Sequence, residues 1–190
     1  MANKVKFGLK NVHYAKITYD AGGNITYATP VPFPGAVSLS LDPQGETTDF
    51  YADDGLYYVG AANVGYKGTF EAALVPDAFK TAILGDAIDE NGVLVEAIDT
   101  PTQHFALLFE IDGDVKARRV VLYDCTATRS AVGSQTKTNS TSPLTESMTI
   151  TVVPTKDGYV KGQTTDTTAS ATYNAWYNAV VVPNSPVITT

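Results

Sequence analysis

Apolar and polar residues alternate in short runs along most of the chain, with the period of two that a half-buried strand requires and not the 3.6 of a helix. Val5, Phe7 and Leu9 alternate with Lys4, Lys6 and Lys10. Ile17-Thr-Tyr19 and Ile25-Thr-Tyr27 flank Asp20-Ala-Gly-Gly-Asn24, which predicts a hairpin. Pro30, Pro32 and Pro34 each fix φ and remove a donor, so their segment is an extended crossing and not a central strand. From Gly35 to Leu41, Val37, Leu39 and Leu41 alternate with small polar residues, and the turn-rich Asp42-Pro43-Gln44-Gly45 is expected to end that strand.

The alternation then fails over 42–64. Gln44, Glu46, Asp49, Asp53 and Asp54 stand among Phe50, Tyr51, Tyr57 and Tyr58, a mixture too polar for a core and too aromatic for a solvated linker. It reads as a long loop suited to contact with another surface. Gly65 to Val75 resumes as a strand, and Pro76-Asp77 opens a short helix that Gly85 closes, with Phe79 and Ile83 on its docking face. A helix of about nine residues is too short to persist in water alone, so that face must rest on a sheet.

The strongest local signal is Phe105 to Ile111, then Asp112-Gly113, then Val115 to Tyr123, a pattern that predicts a tight hairpin turning on Asp-Gly. Phe105, Leu107, Phe109 and Ile111 share one face of the first strand, while Ala106 and Leu108 occupy the other. Both faces are apolar, so something must cover the second. The Ser/Thr-rich stretch from Thr126 to Pro143, with Arg129 and Lys137, reads as weakly paired until Leu144 to Val153 resumes the alternation. Ala171 to Tyr177 carries the only tryptophan, Trp176, and residues 178–190, broken by two prolines, read as a C-terminal arm that docks elsewhere. The expected fold is mainly β: an antiparallel β-sandwich or barrel over a single domain, residues 1–190, with one short flanking α-helix, a long inter-strand loop and terminal arms.

Composition narrows the chemistry. The chain has 190 residues, 44% of them hydrophobic, enough for one core. A net charge of −7 argues against a protein that holds nucleic acid by neutralising phosphates. The lone Cys125 leaves no internal disulfide, and with only His13 and His104 a zinc site is not expected. No apolar block follows Met1 to Lys6 and no run reaches membrane-spanning length, so neither a leader nor a membrane anchor is expected.

Catalytic patterns are missing too: there is no G-x-S-x-G, no cysteine–histidine signature, no phosphate-binding glycine loop and no dinucleotide fingerprint. Both histidines are read as structural. Asp89-Glu-Asn-Gly92 and Asp112-Gly-Asp114 lack calcium-loop spacing and read as turns. No enzyme, metal or cofactor is expected, and self-assembly accounts best for an apolar second face, a long aromatic and acidic loop and docking tails.

Four words carry a resemblance: Asn11-Val-His-Tyr-Ala15, Pro30-Val-Pro-Phe-Pro-Gly-Ala-Val-Ser-Leu-Ser-Leu-Asp-Pro-Gln-Gly-Glu46, Phe50-Tyr-Ala-Asp-Asp54 and Phe105-Ala-Leu-Leu-Phe-Glu-Ile-Asp-Gly-Asp114. In this order they resemble the major tail proteins, or tail-tube proteins, of long non-contractile-tailed phages and prophages of Gram-positive bacteria. The resemblance runs from about Asn11 to Tyr177. It implies hexameric rings stacked into a virion tail tube that conducts double-stranded DNA without binding it specifically, built from subunits made in the host cytoplasm. Tape-measure, tail-terminator and tail-tip proteins would be partners.

The resemblance also implies that the 42–64 loop reaches an adjacent ring through Gln44, Glu46, Asp49, Phe50, Tyr51, Asp53, Asp54 and Tyr57. Terminal-arm contacts would come from Lys4, Lys6, Trp176 and Tyr177, and Asp49, Asp53 and Asp54 are candidate acids for a lumen that repels DNA. The competing reading is a carbohydrate- or receptor-binding β-sandwich in which Tyr51, Tyr57, Tyr58 and Trp176 stack on a ligand.

Overall fold

The structure is a computed structural model that describes residues 3–136 and 143–183. Lys137, Asn139 and the last seven positions of the expected arm lie outside the described residues.

The chain is mainly β. The strands are β1 Lys6–Tyr19, β2 Ile25–Tyr27, β3 Val31–Pro32, β4 Ala36–Gln44, β5 Thr47–Ala52, β6 Gly55–Ala61 and β7 Gly65–Ala72, followed by β8 Ala87–Ile88, β9 Leu94–Val95, β10 Phe105–Gly113, β11 Arg118–Ala127, β12 Glu146–Val152 and β13 Lys161–Gln163. The main sheet is antiparallel, in the order β2-β1-β10-β11-β12-β7-β4, with β3 added to β1 and β13 to β11. It is open, running from β2 to β4, yet β1 and β4 approach each other across the core, so the sheet curls without closing as a barrel.

Curling gathers one large core. Phe33, Phe70, Phe79, Phe105, Leu107 and Ile150 belong to it and are all buried. Phe79 is the hub: it meets Tyr14, Phe33 and Phe105 edge to face, at ring separations of 5.0, 5.2 and 5.4 Å. It arrives on the expected helix, which starts as α1 (Asp77–Phe79) after Pro76 and winds into a π-helical turn over Lys80–Leu84. Gly85 ends that turn at φ 84°, and a Cβ there would meet the Thr100 side chain at 2.4 Å, so glycine is required. A second short helix, α2 (Ser170–Asn174), was not expected.

The second apolar face of β10 is covered by the chain itself. Ala15, Ala106, Leu108, Val121 and Tyr123 form a separate cluster with Trp176, against which Tyr177, Val180 and Val181 pack. Neighbouring subunits are therefore not needed to cover that face, contrary to the expectation above.

Two further boundaries move. β4 runs on through Asp42 and Pro43 and ends only at Gln44, with Pro43 opposite Tyr66 and Gln44 opposite Gly65. Asp112 and Gly113 stay inside β10, with Gly113 opposite Lys6, and the β10–β11 connection lies at Asp114–Ala117. The Asn3 carboxamide holds that connection by accepting from the Val115 and Lys116 amides, at 3.0 and 2.9 Å, and donating to the Lys116 carbonyl. The expected hairpin at Asp20–Asn24 is present: Asp20 Oδ1 accepts the amides of Gly22 and Asn24, and β1 and β2 pair through Ile17 and Tyr27.

Candidate functional site

The expected loop is a hairpin. β5 and β6 pair from Thr47–Ala61 to Ala52–Gly55 as a sheet of their own. The two residues at its tip, Asp53 and Asp54, have φ of 50° and 59°, the pair of positive values that a two-residue type I′ turn demands. Aspartate tolerates that conformation better than most side chains. Tyr57 is the extra residue of a bulge between the Phe50–Tyr58 and Tyr51–Leu56 pairs.

At the base, the Ala62 amide donates to the Glu46 carbonyl and Val64 to Gln44, so the hairpin continues the β4–β7 ladder. Gly45 makes this neck possible: it has φ 152°, and a Cβ would lie 1.8 Å from the Ala62 carbonyl oxygen.

Among the described residues nothing covers this hairpin. Phe50, Tyr51, Tyr57 and Tyr58 are 57%, 65%, 74% and 63% exposed, and Leu56 and Val59 are exposed as well. Cross-strand pairs share a face, so Phe50 with Tyr58 marks one side and Tyr51 with Leu56 the other; both are apolar. An isolated two-stranded hairpin is at best marginally stable in water, and large contiguous exposed apolar patches are uncommon on monomeric soluble proteins. Its charge is of one sign: Glu46, Asp49, Asp53 and Asp54 are the only charged residues between Pro43 and Tyr66. The hairpin and its neck thus bring Glu46, Asp49, Phe50, Tyr51, Asp53, Asp54 and Tyr57 onto one projecting element, whereas Gln44 stays in β4, opposite Gly65.

The expected terminal-arm residues separate. Trp176 is only 4% exposed and sits on the second face of its own sheet. Its segment is clamped there. The Arg119 guanidinium lies 3.9 Å from the Tyr173 ring centre and 5.1 Å from that of Tyr177, its Nε donates to Glu110 at 2.9 Å, and Nη1 donates to the Tyr173 carbonyl. His13 stacks on Tyr177 at 4.4 Å, and the Tyr173 hydroxyl donates to the Ala117 carbonyl. Burial pushes the Tyr177 phenol up, helped by Glu110 and opposed by Arg119. A joint stacking platform of Tyr51, Tyr57, Tyr58 and Trp176, as the binding-module reading requires, is therefore not assembled.

Lys4 and Lys6 stand on the rim of an open groove. Its floor is Leu39, Leu41, Phe109, Ile111 and Val120, and Arg118 and Lys161 complete the rim. Asp112 also lines it and is paired with Lys10. Arg118 and Lys161 were not singled out from sequence, because they come from β11 and β13 and no local spacing links them to the N-terminal lysines.

One constellation has the look of chemistry. His104 Nδ1 lies 2.6 Å from Asp124 Oδ1 and 2.9 Å from the Tyr19 hydroxyl, which donates to Asp124 Oδ2 at 2.7 Å. Asp124 is buried and receives both groups, so the cluster ties β1 and the start of β10 to β11. Burial and the Asp124 carboxylate both push the Tyr19 phenol up, the reverse of what activates a nucleophile. Burial also pushes the Cys125 thiol up, which disfavours the reactive thiolate. The Asp89 carboxylate is taken up by the amides of Asn91 and Val93 in the β8–β9 turn. Among the described residues no group of three or more histidine, cysteine, aspartate or glutamate side chains could hold a metal ion, and no helix is long and apolar enough to cross a membrane.

No protein-family model and no curated protein matches the chain. A solved structure described as the anti-feeding prophage cap, a tube-terminating cap determined by cryo-EM, is similar with a TM-score of 0.43 and 10% sequence identity, covering 85% of this chain and 93% of that one. An overlap of that size and identity fixes neither a shared fold nor a shared role.

Proposed function

We propose that this chain is a structural tail protein of a phage or prophage, whose copies close into hexameric rings that stack into a tube for DNA. The observation that carries self-assembly is the β5–β6 hairpin, regular in its pairing yet apolar and bare on both faces. A monomer gains nothing from ordering exposed aromatics in water, whereas a copy that receives them removes apolar surface at about 25 cal/mol per Å². The family resemblance of the sequence supplies the tube, its virion location and the tape-measure, terminator and tip partners. The net charge of −7 per chain suits a conduit that must not retain DNA.

The test is negative-stain microscopy and sedimentation of concentrated protein, intact and with Glu46 to Ala61 replaced by a short Gly-Ser link. The intact chain is expected to form rings and tubes, and the shortened chain to stay folded and unassembled. Normal tubes from the shortened chain, or an intact chain that stays monomeric, would reject this function.

A further inference from the structure

The hairpin and the groove are complementary in two independent respects. The hairpin offers Phe50, Tyr51, Leu56 and Tyr58 with four carboxylates. The groove offers an aliphatic and aromatic floor between Leu39 and Val120, rimmed by four cations: Lys4, Lys6, Arg118 and Lys161. Among the described residues none of these cations forms an ion pair, whereas Lys10 beside them is taken by Asp112. Lys161 engages only Tyr66, by a 3.2 Å hydrogen bond to its hydroxyl and a position 4.9 Å from its ring centre.

We infer that the β5–β6 hairpin of one copy seats in the Lys4–Lys6–Arg118–Lys161 groove of a second copy lying alongside it. The inference rests on the self-assembly reading and names its acceptor. Sheet register selects the neighbour. Gly65 pairs with Gln44 at the hairpin neck, Val152 pairs with Tyr66, and Cys125 with Val152, so β11 runs from Arg118 at the neck end of the sheet towards Ala127 at the other. Groove and neck thus share one end.

The hairpin strand β5, of six residues, spans about 20 Å, and the nine residues of β4 span about 30 Å. In a copy stacked behind in the same orientation, the groove would lie a further strand length away, beyond the hairpin's reach. A copy alongside presents it within range, so the contact runs round a ring, where the resemblance implies contact with the next ring. Asp49, Asp53 and Asp54 then meet lysines and do not line a lumen. Donor and acceptor are different patches, so the contact is heterologous and propagates until the ring closes.

Charge reversal tests the pairing. One variant carries E46K, D49K, D53K and D54K, and the other K4E, K6E and K161E. Each alone faces like charges, which cost several kcal/mol across an interface, so assembly should weaken at least about tenfold. An equimolar mixture should regain it, because each hairpin then finds a groove of opposite sign. With the intact chain assembling, a single variant that assembles normally, or a mixture of folded variants that stays apart, would overturn the pairing while leaving the tube intact. An intact chain that never assembles would instead reject the function itself.

A second measurement keeps the native charges: Tyr58→Cys combined with Gln163→Cys, oxidised in assembled protein. A ladder of covalent oligomers up to the ring supports the side-by-side contact, and dimers alone or no cross-link would overturn it.

Discussion

Two antiparallel hairpins have opposite fates in this molecule. In β10–β11, Phe105 and Leu107 sink into the main core and Ala106 and Leu108 into the smaller one beneath Trp176, so at these four residues neither face meets water. In β5–β6, Phe50, Tyr51 and Tyr58 reach solvent from both faces. Local chemistry does not separate them, since both carry apolar strands joined near aspartate and glycine. What separates them is cover. The first is enclosed by the curled sheet, the helix and the C-terminal segment, whereas the second extends past the end of the sheet, where none of the described residues covers it. One hairpin is therefore held within the fold and the other stands on its surface.

The contrast breaks most sharply at Phe105. Phe105→Ala leaves a cavity where four aromatic rings converge and is expected to cost about 3–5 kcal/mol of unfolding free energy in urea titrations. A loss below about 1 kcal/mol would mean that the core is looser than described.

Arg119→Leu should cost nearly as much, about 3 kcal/mol, because Glu110 is left buried without its partner. It should also loosen the segment around Trp176, read as faster cleavage near Tyr177 in limited proteolysis. Unchanged cleavage would show that apolar packing alone holds the segment. Phe50→Ala is the smallest: monomer stability should shift by less than about 0.5 kcal/mol, as for an exposed side chain. A larger loss would place the hairpin against its own chain and erase the comparison.

Much of the fold was legible where the signal is local. Alternation marked β1, β7, β10 and β12, Pro76 and Gly85 bracketed the helix, and the two apolar faces of β10 announced a second layer. The misreadings share a cause: the deciding contact is distant in sequence. Asp112-Gly113 looked like the turn, but Asn3 fixes the connection two residues later. The source of the second layer was missed because Arg119 and Tyr173, which clamp it, are 54 residues apart.

For the site, composition drew attention to 42–64 but hid its regularity. The Tyr57 bulge interrupts the alternation midway through β6, so a paired strand reads as irregular. Asp53-Asp54-Gly55 was the available signal for a tight turn. The groove had none, being assembled from β1, β4, β10, β11 and β13 only on folding.

The anchoring of Asn3 has a practical corollary for anyone handling the protein. Its carboxamide is fastened to the β10–β11 connection by three hydrogen bonds, which holds Asn3 beside the groove that it lines with Lys4. A purification tag or fluorescent fusion added upstream would emerge beside Lys4, at the lip of the groove. Such a label is a built-in blocker: it should leave each subunit intact while suppressing polymer growth, and its proteolytic removal should start growth on demand.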